Sequence, residues 1–537
     1  MKNIQLLDCT LRDGSYIVDS DFGSAAIRGI LEKLSEADVD IIECGWLKDK
    51  EASEGSAFYH VPADLERYLP YKQPGKVYVA MIDWNRYNTD ALPPYDGRSI
   101  DAVRVVFPHG KHREGIAVGE RIREKGYAVY YQAANTLAYS DEDLLALARD
   151  MNAAKPVCLS VVDTFGAMYE DDLERILSIL DKALSPEIRL GFHSHNNQQL
   201  SFALSMHFVR YLQKTGRQMV IDASLCGMGR GAGNATTELV ASFLNKKCGC
   251  HYNLDAVMDA IDTYMEAFRE NYTWGYSTPY FISGLYCCHV NNIAYLMKNH
   301  RTSARDMRNI IESMQPEDRT KYDYDLLEER YMTVMNRYID DSEAVEDFKK
   351  TLAGRTVLLV APGKSSLDEK AKIDAYIEEK HPYVIGVNAI LPGYHYDALF
   401  FVNPARYDYA KNVNPTVFAD TPHLLLSNIK TEAGENERIF SYEKAVKRGW
   451  QHFDNAVICC LRLLERLEQT DVAAAGFDGF KHRYNESYAD AFLPTLNPDN
   501  KWDELNAEIT EIFSDFKASA RYCGNVFFVT PSIFDKK

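Results

Sequence analysis

Short apolar runs punctuate the first part of the chain and predict strands at Ile4–Cys9, Asp40–Cys44, Val77–Ile82, Ala102–Val106, Ala128–Gln132, Val157–Val162, Arg189–His193 and Met219–Ala223. Between them, apolar residues return at helical spacing. Ile27, Ile30, Leu31 and Leu34 form one such stripe, and Leu173, Ile176, Leu177 and Leu180 another. Eight strands alternating with helices predict an α/β architecture, a (β/α)8 TIM barrel spanning residues 1–245. Beyond Leu239 the pattern turns helical and rich in tyrosine, which predicts a helical extension of the barrel over 246–350 that completes its site. From Arg355 the strand pattern resumes: Val357–Val360, Tyr383–Val387, Ala398–Val402 and Val472–Ala475 are short buried strands, separated by helices such as Asn455–Leu467. Residues 351–537 therefore predict a Rossmann-like α/β domain of unknown role.

A chain of 537 residues has room for two to four domains at roughly 100–250 residues each. Its 60 Lys and Arg against 78 Asp and Glu give a net charge of −18, which argues against nucleic acid and anionic membranes as partners. No apolar stretch approaches the roughly 20 residues needed to span a bilayer, and the start of the chain implies no export. The 11 cysteines form no Cys-x-x-Cys framework and are expected to be reduced, as in a cytoplasmic protein. Cys248-Gly249-Cys250-His251 lacks the second pair that a zinc site needs.

Candidate chemistry concentrates where a barrel puts it, just past the C-terminal ends of the strands. Arg12 and Asp13 follow the first strand, Glu43 ends the second, and Asp83, His109, Gln132, Asn135, Asp163 and Thr164 follow or end the next four. His193-Ser194-His195 closes the seventh, and two residues apart on a strand means that both imidazoles point to one face. The glycine-rich loop Gly229–Asn234 follows the eighth and brings Asn234 to the same rim. First and last strands meet in a closed barrel, so Asp13, His193, His195 and Asn234 are expected to converge. Two imidazoles, a carboxylate and an amide oxygen suit Mn²⁺, with Mg²⁺, Co²⁺ or Zn²⁺ as alternatives, and leave open positions for a bidentate 2-oxo acid.

The ordered set Asp8-Cys9-Thr10-Leu11-Arg12-Asp13-Gly14, Ile42-Glu43, Asp163-Thr164-Phe165-Gly166, Gly191-Phe192-His193-Ser194-His195-Asn196 and Gly229–Asn234 resembles the Arg-Asp-Glu metallolyase superfamily of TIM barrels, the HMGL-like or pyruvate carboxyltransferase domains. Val161–Met168 and Ser283-Gly284-Leu285-Tyr286 look most like its 4-hydroxy-2-oxovalerate aldolase branch. The resemblance implies that Asp13, His193 and His195 bind the metal, with Asn234 as an outer or fourth ligand, and that Arg12 clamps the developing enolate. Glu43 would orient Arg12. Thr164 is placed on the substrate carboxylate, and Arg230 is a further candidate for a substrate anion. One residue departs from the pattern: where those aldolases carry a histidine base and the lyases and synthases a glutamine, this chain has Tyr16. Tyrosine, with a pKa near 10, is a poor base at neutral pH unless something depresses it. His109, His289, Tyr286 or a metal-bound hydroxide are the other candidates for that role.

The expected function is a divalent-metal-dependent carbon–carbon lyase. It would be an aldolase that cleaves or forms a 4-hydroxy-2-oxo acid, with pyruvate or a related 2-oxo acid and an aldehyde as its other partners. An acyl-CoA-dependent condensing synthase and a non-catalytic binding protein are the alternatives. In the C-terminal domain, Val360-Ala361-Pro362-Gly363-Lys364-Ser365-Ser366 follows a strand and precedes a helix, and its amides are candidates to cradle a phosphate. A nucleotide or phosphate ligand there, and a homo-oligomer, are left open.

Overall fold

The computed structural model describes residues 3–535, apart from 71, 301, 336–338, 432–433, 435, 451, 482–486 and 495–501. They divide into two compact units, Met1–Ile293 with Gln315–Tyr322, and Ala294–Met314 with Asp323–Lys537. The helical stretch expected as one extension over 246–350 is thus divided between the units. Residues up to 293 and the segment 315–322 pack with the barrel, and the rest with the second unit.

In the first unit, β1 (Ile4–Asp8), β2 (Ile41–Leu47), β3 (Val77–Asp83), β4 (Ala102–Phe107), β5 (Ala128–Ala133), β6 (Cys158–Asp163), β7 (Arg189–Ser194) and β8 (Met219–Ala223) pair in parallel in chain order. The ring closes because β1 pairs with both neighbours, Leu7 with Ile41 on one side and Ile4 with Met219 on the other. This is a TIM barrel. The predicted strands differ from the observed ones by at most three residues at either end.

Helix α1 (Ser24–Glu36) buries Ile27, Ile30, Leu31 and Leu34 against the ring, and α2 (Glu170–Ala183) buries Leu173, Ile176, Leu177 and Leu180. Removing one such leucine side chain would cost about 2–5 kcal/mol.

One irregularity bears on the site. The register of β2 against β3 shifts between Glu43 and Trp46. Gly45 in this bulge has φ 141°, and a Cβ there would lie 2.1 Å from the Ala57 carbonyl oxygen, so only glycine fits. The bulge carries Trp46 to the mouth of the barrel and a two-residue strand, Phe58–Tyr59, onto the outside of β2.

In the second unit, β9 (Val357–Val360), β10 (Tyr383–Val387), β11 (Ala398–Phe401), β12 (His423–Leu426), β13 (Glu437–Phe440), β14 (Val472–Ala475) and β15 (Val526–Phe528) form a parallel sheet. Its order is β13-β12-β11-β10-β9-β14-β15. The chain runs outward from β9 to one edge and then returns to the other side of β9, the reversal that defines a doubly wound, Rossmann-like sheet. Among its helices are α3 (Pro404–Val413) and α4 (Ala456–Arg466). Among the described residues, no helix is long and apolar enough to cross a membrane.

Candidate active site

After β1 the chain makes a single helical turn, Thr10–Asp13, which turns Arg12 and Asp13 over the mouth of the barrel. His193 lies within β7 and His195 just beyond it, where its backbone bridges that of Asn234. Asp13 Oδ2 is 3.7 Å from His193 Nε2 and 3.5 Å from His195 Nε2. The ligand atoms of the three residues lie within 4.8 Å of one another. Gly229 makes room for this cluster, since a Cβ there would be 2.4 Å from Asn234 Nδ2 and 3.0 Å from Asp13 Oδ2.

Each imidazole is oriented from behind. His193 Nδ1 donates to Asp222 Oδ2 at 3.0 Å, and His195 Nδ1 donates to the Asp163 carbonyl oxygen at 3.2 Å. Both Nε2 lone pairs therefore face Asp13, the usual arrangement of ligating histidines and their supports. Burial lowers the pKa of His193, against the pull of Asp222, and keeps the ring neutral. Burial alone would raise the Asp13 carboxyl, but Arg12 and then the two imidazoles outweigh it and hold it well below the usual range.

The buried atoms Asp13 Oδ2, His195 Nε2 and Asn234 Oδ1 have no hydrogen-bond partner. Asp13 Oδ2 and His195 Nε2 face each other at 3.5 Å without a donor between them, which is costly, and a cation there removes that cost. The donor set of one carboxylate, two imidazoles and one amide oxygen fits a divalent metal.

Under this cluster runs a chain of charges. Arg12 donates Nη1 to Asp13 Oδ1 and Nε to Glu43 Oε2, both at 2.8 Å. Glu43 Oε2 also pairs with Arg104 Nη1 at 2.9 Å, and Arg104 Nη2 bridges Asp222 and the Gln132 amide oxygen. Two guanidinium cations against three carboxylates leave one net negative charge on the floor, and a divalent ion would reverse its sign. The opposite wall also offers donors: Gln132 Nε2 is buried and unpartnered, and the Thr164 hydroxyl accepts from the Asn135 amide at 2.7 Å, which leaves its own proton free to donate.

The rim is aromatic and cationic. Tyr16 is 44% exposed, into the crevice that it lines with Trp46, Met81, His109, Arg230 and His289. The Arg230 guanidinium lies 4.4 Å from the Tyr16 ring centre and donates to Asn291. Burial raises the Tyr16 hydroxyl above its ordinary 10, with Arg230 opposing, so at neutral pH it is a proton donor. Burial, helped by Arg230 and His195, pushes His289 down to about 3, and its Nδ1 accepts from the Asn291 amide at 3.1 Å. His109 is engaged by Asp143 at 3.2 Å. Asp163 is occupied with the Ala167 amide at 2.8 Å and shapes its loop.

The structure therefore brings Arg12, Asp13, Glu43, His193, His195 and Asn234 into one cluster, with Tyr16, Thr164 and Arg230 around the same crevice. Sequence reasoning missed Arg104 and Asp222. Their signal was present, since Arg104 interrupts Val103 and Val105, and Asp222 interrupts an apolar run ending in Ala223. A charge inside a barrel strand needs a partner there.

A closed parallel barrel with a carboxylate, two imidazoles and a guanidinium at its C-terminal mouth has the form of a TIM-barrel enzyme. The family model for HMGL-like domains matches residues 112–263. The chain is 27% identical over 307 residues to a 4-hydroxy-2-oxovalerate aldolase of Thermomicrobium roseum, which covers 53% of this chain and 82% of that protein. It is 28% identical over 265 residues to an oxaloacetate decarboxylase of Mycobacterium tuberculosis, covering 48% and 74%. Among solved structures, the carboxyl transferase domain of Rhizobium etli pyruvate carboxylase aligns with a TM-score of 0.46 at 14% identity, over 62% of each chain. The barrel is thus similar to HMGL-like domains and to these lyases over most of its length.

Proposed function

We propose that the barrel is a divalent-metal-dependent aldolase that forms or cleaves the carbon–carbon bond of a 4-hydroxy-2-oxo acid, with pyruvate or a related 2-oxo acid and an aldehyde as the other partners. The observation that carries this reading is the set of orphaned acceptors, Asp13 Oδ2, His195 Nε2 and Asn234 Oδ1, beside the Arg12 guanidinium. Asp13, His193, His195 and Asn234 would hold the metal, Mn²⁺ foremost, and the metal would supply Lewis acidity to the carbonyl of a bound 2-oxo acid.

Arg12 supplies a fixed positive charge where the enolate oxygen develops, and Glu43 holds it in place. Thr164 and Gln132 offer donors to the substrate carboxylate, and Arg230 attracts anions at the rim. Tyr16, protonated at neutral pH, hands its proton to the aldehyde oxygen as the new bond forms; cleavage is the reverse. The named relatives are lyases, which supports the coarse class.

A second reading is decarboxylation of a 2-oxo diacid such as oxaloacetate. Loss of carbon dioxide leaves the same enolate and then needs a proton donor rather than a base, which the raised pKa of Tyr16 favours. Incubating the Mn²⁺-loaded protein with pyruvate and a panel of aldehydes, and in parallel with oxaloacetate, separates the two by mass spectrometry. Release of free CoA from acetyl-CoA and a 2-oxo acid would point instead to a condensing synthase. Failure to exchange the methyl protons of pyruvate would point to a non-catalytic binding protein.

A further inference from the structure

The second unit has its own crevice outside the C-terminal ends of β9 and β14, where the strand order reverses. Doubly wound sheets bind ligands at this position. The loop after β9 is not the anion site that its sequence suggested. Asp478, from the loop after β14, accepts the Ser365 amide at 2.8 Å and the Ser365 hydroxyl, so a carboxylate of the chain already fills that cradle. Gly363 is closed off as well, since a Cβ there would be 2.2 Å from the Gly476 carbonyl oxygen.

The cation lies on another wall. Arg406 occupies the first turn of α3, whose start is capped by the Asn403 side chain, and is only 6% exposed. Its Nε donates to the Pro494 carbonyl oxygen, and its guanidinium lies 4.8 Å from the Tyr488 ring centre. Nη1 is buried without a hydrogen-bond partner, and no carboxylate pairs with Arg406 among the described residues. A guanidinium does not shed its proton, so a buried one with an open donor lining a crevice is a receptor for an anion. The positive end of α3 adds to it.

The remaining walls are of two kinds. Phe480 offers a ring surface and is held by stacking on Trp502 at 6.0 Å. Asp454 adds a carboxylate to the lining, and Asn388, whose side-chain oxygen accepts from the Val402 amide at 2.9 Å, adds an amide NH2 group suited to hydroxyls. An anion, hydroxyls and a planar ring occur together in one ligand class.

We propose that this crevice binds a nucleotide, with a phosphate on Arg406, the ribose toward Asp454 and Asn388, and the base against Phe480. The test uses the full chain in equilibrium dialysis against AMP, GMP, CMP, UMP and their diphosphates, with inorganic phosphate and uridine as controls. At least one nucleotide should saturate at one per chain with a Kd below about 1 mM, and both controls should bind about tenfold more weakly or worse. Arg406→Gln should weaken that nucleotide about tenfold or more, and so should Phe480→Ala, which leaves the guanidinium untouched. Should Arg406→Gln fold poorly, hydrogen exchange on the parent protein decides the matter: the nucleotide should protect residues 403–410 and 476–480. The proposal is overturned if no nucleotide saturates the protein by about 5 mM, if inorganic phosphate binds as well as the best nucleotide, if Arg406→Gln folds and binds unchanged, or if protection appears in the barrel instead.

Discussion

His193 and Asp222 are joined at 3.0 Å, and the oxygen of Asp222 that accepts from His193 also pairs with Arg104. The carboxylate is therefore fixed before it fixes the imidazole. Asp222→Asn keeps the shape and removes the charge, and it should weaken binding of Mn²⁺ by about 10–100-fold, read by competition with a chromophoric chelator. Unchanged affinity would mean that Asp222 serves only the packing of β8.

The cluster of Asp13, His193 and His195 leads to a simpler expectation. The purified protein should carry about one divalent ion per chain, measured by plasma mass spectrometry, and His195→Ala should lose it. Full occupancy in that variant would remove His195 from the ligand set.

Arg12 contacts Asp13 and Glu43, and so it acts on both the metal and the reaction. Arg12→Ala should lose about 10²-fold in turnover while retaining metal at neutral pH. Its pH dependence should also move. Arg12 helps to hold the Asp13 carboxyl below its ordinary range, so without it Asp13 takes up a proton at a higher pH as the solution is acidified. Metal should then be lost at a higher pH than in the parent protein. Turnover within about twofold of the parent would make Arg12 structural.

Tyr16 is the proton donor in both proposed reactions. As a donor it is competent while protonated, so activity should hold through neutral pH and fall only above 10. In Tyr16→Phe that alkaline fall should vanish along with most aldol turnover, while exchange of the pyruvate methyl protons continues. A parent whose rate climbs toward pH 10 would instead identify tyrosinate as a base.

The barrel was readable because its strands are apolar runs of similar length and its helices bury regular stripes. The residues proposed as metal ligands were readable because they follow strand ends. Arg104 and Asp222 escaped notice because their meaning lies in pairings across the barrel, from β4 to β2 and β8, which no local spacing reveals. In the second unit β12, β13 and β15 went unseen for a related reason. Each is only three or four residues long, and the edge strands β13 and β15 are partly exposed, so their sequences lack a sustained apolar signal. The division of the helical segment followed no change in composition. Helices of either unit carry the same amphipathic pattern, and the pattern does not say which core it faces.

Arg104 neutralises two carboxylates at once, and this affects how the protein can drift over evolutionary time. A substitution there leaves Glu43 with Arg12 alone and Asp222 with His193 alone, so single mutational steps on the floor are costly. Tyr16 and Arg230 stack on one another at the rim, and either can change without leaving a buried charge unpaired. Change is tolerated better at the mouth of such a barrel than on its floor, and a randomised library for new specificities belongs at rim positions other than Tyr16.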